Sequence, residues 1–99
     1  MRGFLLSPEA AQDLTEIWEF LAEESIAAAR RVRKELYEAI GGLVKMPSKG
    51  HVREDLTGKP VLFWTVRSYH IIYRPGTKPL QIIGVLHGAR AIPTVLKNR

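Results

Sequence analysis

The sequence predicts a single α+β domain in which two amphipathic helices precede three strands. Apolar residues recur at helical spacing to about residue 45, turn-forming residues occupy 47–60, and three strand-like runs follow. Ninety-nine residues suit one hydrophobic core, so 1–99 is interpreted as one domain. The expected order is β-α-α-β-β-β, with the N-terminal strand and a two-helix antiparallel hairpin packed on a small antiparallel sheet.

The first two elements are a short strand, Phe4-Leu5-Leu6, and a helix that begins at Pro8 with Ser7 as its N-cap. The apolar face of this helix carries Ala10, Leu14, Ile17, Trp18 and Leu21, and the opposite, solvent-facing side carries Glu9, Asp13, Glu16 and Glu23. Phe20 projects among these carboxylates, where an exposed aromatic ring would suit a partner. We expect it instead to fold over a helix end or a neighbouring loop.

A second helix is expected from Ser25, its N-cap, to about Lys45, because Pro47 cannot continue it. Its apolar stripe comprises Ala29, Val32, Leu36, Ala39, Ile40 and Leu43. Arg31 with Glu35, and Lys34 with Glu38, have the i,i+4 spacing of exposed ion pairs.

The C-terminal half is predicted to be a β-meander. Segments 61–66, 69–74 and 81–87 are rich in β-branched and aromatic residues, and the connections at 67–68 and 75–79 have hairpin lengths. Residues 94–99 are expected to form a last helical turn or a frayed tail.

Charge is divided unevenly along the chain. Residues 1–45 carry eight acidic and six basic side chains, for a net charge of −2, whereas residues 46–99 carry two acidic and nine basic ones, for +7. This polarity suits an anionic partner, either nucleic acid or an acidic polypeptide, or it serves solubility alone.

Several classes of site find no support in the sequence. The chain has no cysteine, which excludes disulfides and thiolate chemistry. His51, His70 and His87 lack metal-ligand spacing, and no phosphate-binding glycine motif or serine-hydrolase elbow occurs, so neither a metal nor a cofactor is expected. No signal peptide or membrane-spanning run is apparent, so we expect a cytoplasmic protein without membrane contact.

The remaining candidates are cationic or titratable groups on or beside the strands: Arg67, His70, Arg74, His87 and Arg90. Alternation places His70 and Arg74 on the same face of one strand. Such a cluster would bind phosphate or an acidic peptide, and His70 would serve metal-free RNA cleavage as an acid or base. For catalysis we favour the simpler interpretation, in which His70 is packed and Arg74 closes the strand, because no complementary base is evident.

Segments along nearly the whole chain resemble the ParE-type branch of the RelE/ParE toxin superfamily. They are LSPEAAQDLTEIWEFLAEES in the first helix, DLTG in the loop, YHIIYRP in the middle strand of the meander, and VLHGAR in the last strand. The resemblance extends from Leu6 to about Leu96. Members of this superfamily are the small toxins of bacterial type II toxin–antitoxin pairs.

The resemblance implies the same helical hairpin on a sheet, and it also implies a function. ParE-type toxins inhibit DNA gyrase by stalling it on cleaved DNA, whereas RelE-type relatives cut messenger RNA on the ribosome without a metal. In both branches a cognate antitoxin wraps around the toxin. We therefore expect a growth-inhibiting toxin of the plasmid-stabilisation kind, with DNA gyrase as target, and a hetero-oligomer with an antitoxin.

The RelE-type catalytic groups are mostly missing from the corresponding positions. Lysines on the first meander strand correspond to Phe63 and Thr65, and an arginine on the next strand corresponds to His70. The position of a C-terminal tyrosine falls near Leu96, and an arginine after the last strand is retained as Arg90. Without the cationic and phenolic groups, attack by a 2′-hydroxyl lacks charge stabilisation and most acid–base help. No catalytic residue is therefore expected, with nuclease action through His70 and Arg90 as the alternative.

Two departures from ParE-type relatives bear on activity. Ala91 stands where an aspartate is common, and His70 replaces a residue that is usually apolar. They indicate an altered target or an inactive homologue that only binds its antitoxin. The residues expected to contact the target or antitoxin are Arg67, Arg74, His87, Arg90, Trp18 and Phe20. An acidic and apolar C-terminal segment of the antitoxin is expected in a groove beside the hairpin, meeting Arg67, Arg74 or Arg90.

Overall fold

The structure, a computed structural model, describes residues 3–88 and 91–99. Its elements are β1 (Phe4–Leu6), α1 (Pro8–Ala22), α2 (Ile26–Lys45), β2 (Leu62–Val66), β3 (Tyr69–Arg74), β4 (Leu80–His87) and α3 (Ile92–Leu96), with a 3-10 turn at Pro47–Lys49. The predicted α+β class and the order β-α-α-β-β-β are confirmed. The C-terminal helix begins at Ile92, two residues before the predicted start, with Pro93 in its first turn.

Over the described ranges, four strands form one sheet in the order β1-β4-β3-β2. The predicted antiparallel meander is present, with Val66 opposite Tyr69 and Ile71 opposite Val85. β1 adds to it in parallel, with Phe4 opposite Leu80, so the complete sheet is mixed. β4 therefore has a neighbour on each side, but β1 is only three residues long and leaves the far half of that edge of β4 uncovered.

Both faces of the sheet are covered by apolar side chains. The predicted stripe of α2 packs on one face, where Leu36, Ile40 and Leu43 are fully buried against Ile71 and Tyr73. The other face is a smaller cluster that includes Phe63, Ile72 and Ile83, and α3 covers it with Ile92 and Leu96. The last helix is thus part of the core and not a frayed tail.

Both predicted helix caps are present. The Ser7 hydroxyl accepts a hydrogen bond from the Ala10 amide at 3.0 Å, and the Ser25 hydroxyl accepts one from the Ala28 amide at 3.1 Å. α2 ends at Lys45, directly before the Pro47–Lys49 turn. No helix within residues 3–88 and 91–99 has the length and apolarity to cross a bilayer.

Asp13 corrects the prediction that its side of α1 faces solvent. Its carboxylate is buried and accepts a hydrogen bond from the Val85 amide at 3.0 Å, beyond the end of β1. Arg99 donates to the same carboxylate from Nη1 at 2.6 Å and from Nη2 at 3.0 Å. The helical projection gives the wrong environment for Asp13 because α1 packs on α2 and also on the uncovered half of β4, so two of its sides contact other elements.

Arg99 connects the C-terminal segment to this site. Its Nη1 also donates to the Ile83 carbonyl at 3.2 Å, and only 14% of its side chain is exposed, against 10% for Asp13. A Cβ on Gly84 would lie 3.0 Å from Nη1, so the glycine allows the guanidinium to approach the strand. The pair therefore holds α1, β4 and the end of α3 together.

We predict that Asp13→Ala destabilises the fold strongly. The substitution leaves the Arg99 guanidinium and the Val85 amide without their acceptor in a largely buried site, and such losses cost about 3 kcal/mol or more. The measurement is urea denaturation followed by circular dichroism. Glu19→Ala, an exposed site on the same helix, is the control and should leave the midpoint unchanged; equal midpoints for both variants would contradict the role given to Asp13.

Candidate functional site

An apolar groove, here called the helical groove, runs along the hairpin beside β1. It encloses about 360 Å³ and is lined by Leu6 of β1, by Leu14, Ile17 and Trp18 of α1, and by Arg33, Leu36 and Tyr37 of α2, among others. Leu14, Ile17 and Trp18 are the apolar residues predicted for α1, but they are only partly buried. The helices thus present a concave apolar surface to solvent.

A single cation of α2 stands between the two aromatic rings of this groove. The Arg33 guanidinium carbon lies 5.8 Å from the ring centroid of Trp18 and 5.8 Å from that of Tyr37. Sequence reasoning included Trp18 but missed Arg33 and Tyr37, although their i,i+4 spacing beside the apolar stripe was an available signal. The groove is chemically suited to an amphipathic segment that carries a carboxylate.

Phe20 is exposed, contrary to the expectation that it folds over a helix end or loop. Its exposed fraction is 72%, and it does not line the helical groove. The C-terminal turn of α1 leads directly into Ser25 and α2, and no neighbouring element in the described part of the chain covers the ring.

Arg67 occupies the turn between β2 and β3 and reaches across to α2. Its Nε and Nη2 each donate a hydrogen bond of 2.7 Å to the Glu35 carboxylate. These bonds hold the pKa of Glu35 below its ordinary value and raise that of Arg67. Glu35 therefore pairs with Arg67 rather than with Arg31, the partner predicted from helical spacing, although Arg31 adds a weaker attraction.

The backbone of Arg67 is in the left-handed region, with φ of 56°. A two-residue hairpin turn with this geometry favours glycine at that position, because a side chain there is strained. Both side chains of the Arg67–Glu35 ion pair are exposed to solvent, which screens their attraction. The pair therefore offsets little of the backbone strain at Arg67. Stability alone is a poor reason for an arginine at this position.

His70 packs on the face of the sheet opposite the helical hairpin. Its ring lies edge-on to Phe63, with 6.5 Å between centroids, and Nδ1 is 3.2 Å from the Thr65 hydroxyl. Partial burial lowers the pKa of His70, and the charges of Arg53 and His87 lower it further. These contacts agree with the packed interpretation.

The predicted cationic cluster is spread over the length of the sheet. Arg67 lies at one end of β3, near His87, whose ring is 5.1 Å from that of Tyr69. Arg74 lies at the opposite end of β3, where Nη2 donates to the Arg99 carbonyl at 3.5 Å. Arg90 lies outside the described residues. In the described part of the chain, no three histidine, aspartate or glutamate side chains converge as metal ligands.

We predict that His70 titrates below its ordinary value of 6.5. Because the unfolded chain then binds the proton more tightly than the native one, His70 makes stability fall as the pH drops through and below that value. Two-dimensional NMR of the imidazole signals measures the titration, with His70→Gln assigning the resonance. Arg53→Gln should raise the midpoint by removing a nearby positive charge; a His70 midpoint at or above 6.5 in the unsubstituted protein would contradict the packed site.

Comparison with known proteins places this arrangement in a family. A solved chain from the chromosomal ParDE toxin–antitoxin system of P. aeruginosa has a similar fold, with a TM-score of 0.71 over 86% of this chain and 94% of that one, at 18% sequence identity. Comparison with curated proteins gives no significant match. The sequence pattern of the family described as ParE toxin of type II toxin-antitoxin system, parDE, matches residues 4–92. This chain, matched over nearly its full length, therefore belongs to the ParE toxin family.

Proposed function

We propose that this toxin inhibits DNA gyrase by protein–protein contact and that a cognate antitoxin neutralises it. The observation that carries the proposal is that buried apolar side chains occupy a position where RelE-type nucleases use a lysine and a position next to the one where they use a tyrosine. Phe63 is 2% exposed and Leu96 is 1% exposed, and both belong to the core between the sheet and α3. A 2′-hydroxyl attack would therefore lack the charge stabilisation and proton transfer that those groups supply.

The local environment of His70 adds to the case against RNA cleavage. Its Nδ1 faces the Thr65 hydroxyl, and its ring rests on Phe63. Thr65 cannot supply the positive charge that stabilises a phosphorane, because its side chain is a neutral hydroxyl. Gyrase inhibition needs no such groups, since it depends on surface complementarity.

Neutralisation is assigned to the helical groove. Its apolar wall would take the apolar residues of the antitoxin segment, and Arg33 between Trp18 and Tyr37 would take a carboxylate. Action on gyrase places the toxin in the cytoplasm, and binding of a separate antitoxin chain makes the neutralised form a hetero-oligomer.

The first prediction from this proposal concerns purified gyrase. The folded toxin should inhibit supercoiling and accumulate cleaved DNA complexes, and its cognate antitoxin should relieve both effects. Gel assays of supercoiling and trapped cleavage measure the two outcomes. Absence of inhibition at a large excess of folded toxin would contradict the proposal. A ribosome-dependent mRNA cleavage assay would then distinguish a nuclease from an inactive homologue.

A second prediction concerns the groove. Arg33→Glu should weaken antitoxin binding about tenfold or more, because it places a negative charge where an acidic group is expected. Isothermal titration calorimetry gives the affinity. Lys97→Glu changes the net charge equally at an exposed site after α3 and serves as the control. Similar losses for both variants would mean that the effect is long-range charge and not a contact in the groove.

A further inference from the structure

The Arg67–Glu35 pair has the geometry of a binding site that is already occupied. Two guanidinium nitrogens meet the two carboxylate oxygens at 2.7 Å each, which is the parallel arrangement that arginine uses to recognise carboxylates. Both side chains are open to solvent, so water and other solutes reach the pair. An external carboxylate therefore has access to the same two donors once Glu35 moves aside.

The position of Arg67 points to a role other than stability. The left-handed backbone suits glycine, and an exposed ion pair is a weak reason to retain arginine there. Backbone strain that local contacts do not offset is typical of binding sites. The turn places Arg67 at the end of the β2–β3 hairpin, from which its solvent-exposed guanidinium reaches Glu35 on α2.

The surrounding charge favours an acidic ligand. Arg31, one turn before Glu35 on α2, also attracts the Glu35 carboxylate and, less strongly than Arg67, lowers its pKa. When Glu35 is displaced, an incoming carboxylate has access to the two donors of Arg67 and is also attracted by the charge of Arg31, while Glu35 enters water. Displacing Glu35 breaks an ion pair that is solvent-exposed and therefore screened.

We propose that Arg67 is a receptor for an acidic side chain of the cognate antitoxin and that Glu35 occupies it until the antitoxin binds. The proposal rests on the proposed neutralisation by an antitoxin. Glu35 and Arg33 are two residues apart and project from different sides of α2. The Arg67 receptor is therefore a contact separate from the helical groove, and an antitoxin segment that uses both must pass around α2.

In this arrangement Glu35 competes with the antitoxin for Arg67. Substitutions of Glu35 and of Arg67 should therefore change antitoxin affinity in opposite directions. Glu35→Gln should tighten antitoxin binding several-fold, because a neutral amide holds Arg67 less strongly than a carboxylate. Arg67→Asn should weaken binding about tenfold, and asparagine is chosen because it tolerates the left-handed backbone. In the double variant the gain from Glu35→Gln should disappear, because the receptor itself is missing.

Asp55→Asn is the matched control. Asp55 holds Arg53 in the same two-bond manner, with distances of 3.0 and 2.8 Å, but that arginine lies in the loop before β2 on an unstrained backbone. The substitution removes the same charge and frees an arginine elsewhere, so it reports the effect of net charge alone. We expect it to leave antitoxin affinity within about twofold of the unsubstituted toxin.

The experiment is calorimetric titration of each toxin variant with the antitoxin encoded beside the toxin gene, at low and high salt. Tighter binding by Glu35→Gln, unmatched by Asp55→Asn, supports the receptor. Unchanged or weaker binding by Glu35→Gln overturns it, even if Arg67→Asn does not fold. A change in gyrase inhibition without a change in antitoxin affinity also overturns it and assigns the site to the target. Absence of antitoxin binding by the unsubstituted toxin overturns the proposed neutralisation together with this inference.

Discussion

The ion pair between Asp13 and Arg99 is the interaction on which the other parts of the structure depend. β1 is too short to cover β4, and the carboxylate of Asp13 takes the Val85 amide that a longer strand would have bonded. Arg99 then neutralises that carboxylate and accounts for the position of the chain after α3. Asp13 thereby bonds the open edge of β4 and, through Arg99, fixes the segment that follows α3. With that segment in place, α3 covers the second face of the sheet, which would otherwise expose Phe63, Ile72 and Ile83.

Closure of that second face has a functional consequence. The face that α3 covers is the one on which RelE-type relatives would place catalytic groups, and here it is packed with Phe63 and Leu96. Among the described residues, surfaces that remain open to partners include the helical groove with Arg33, the turn that holds Arg67, and the exposed ring of Phe20. A toxin built in this way is equipped for contact with other proteins, which is why gyrase inhibition is the function proposed.

Local sequence patterns predict the helices and strands well, but they do not identify contacts between residues that are far apart in the sequence. Sequence patterns identify Ser7 and Ser25 as helix caps and predict the buried stripe of α2, because both features depend on neighbours within a turn or two. Asp13 was assigned to solvent because its partner is 86 residues away in the sequence. Glu35 was likewise paired with Arg31, four residues away, whereas folding brings Arg67 to it from 32 residues away. The parallel pairing of β1 with β4 also joins residues that are far apart in the sequence, so local patterns do not predict it.

The most direct test of the account is the order in which synthesis stops in growing cells after the toxin is induced. Incorporation of labelled thymidine and labelled methionine is followed from the moment of induction, with co-expressed antitoxin as the control. A gyrase inhibitor that acts by protein contact should stop thymidine incorporation first, with methionine incorporation falling later. Arrest of methionine incorporation before that of thymidine would contradict the account and indicate an attack on messenger RNA.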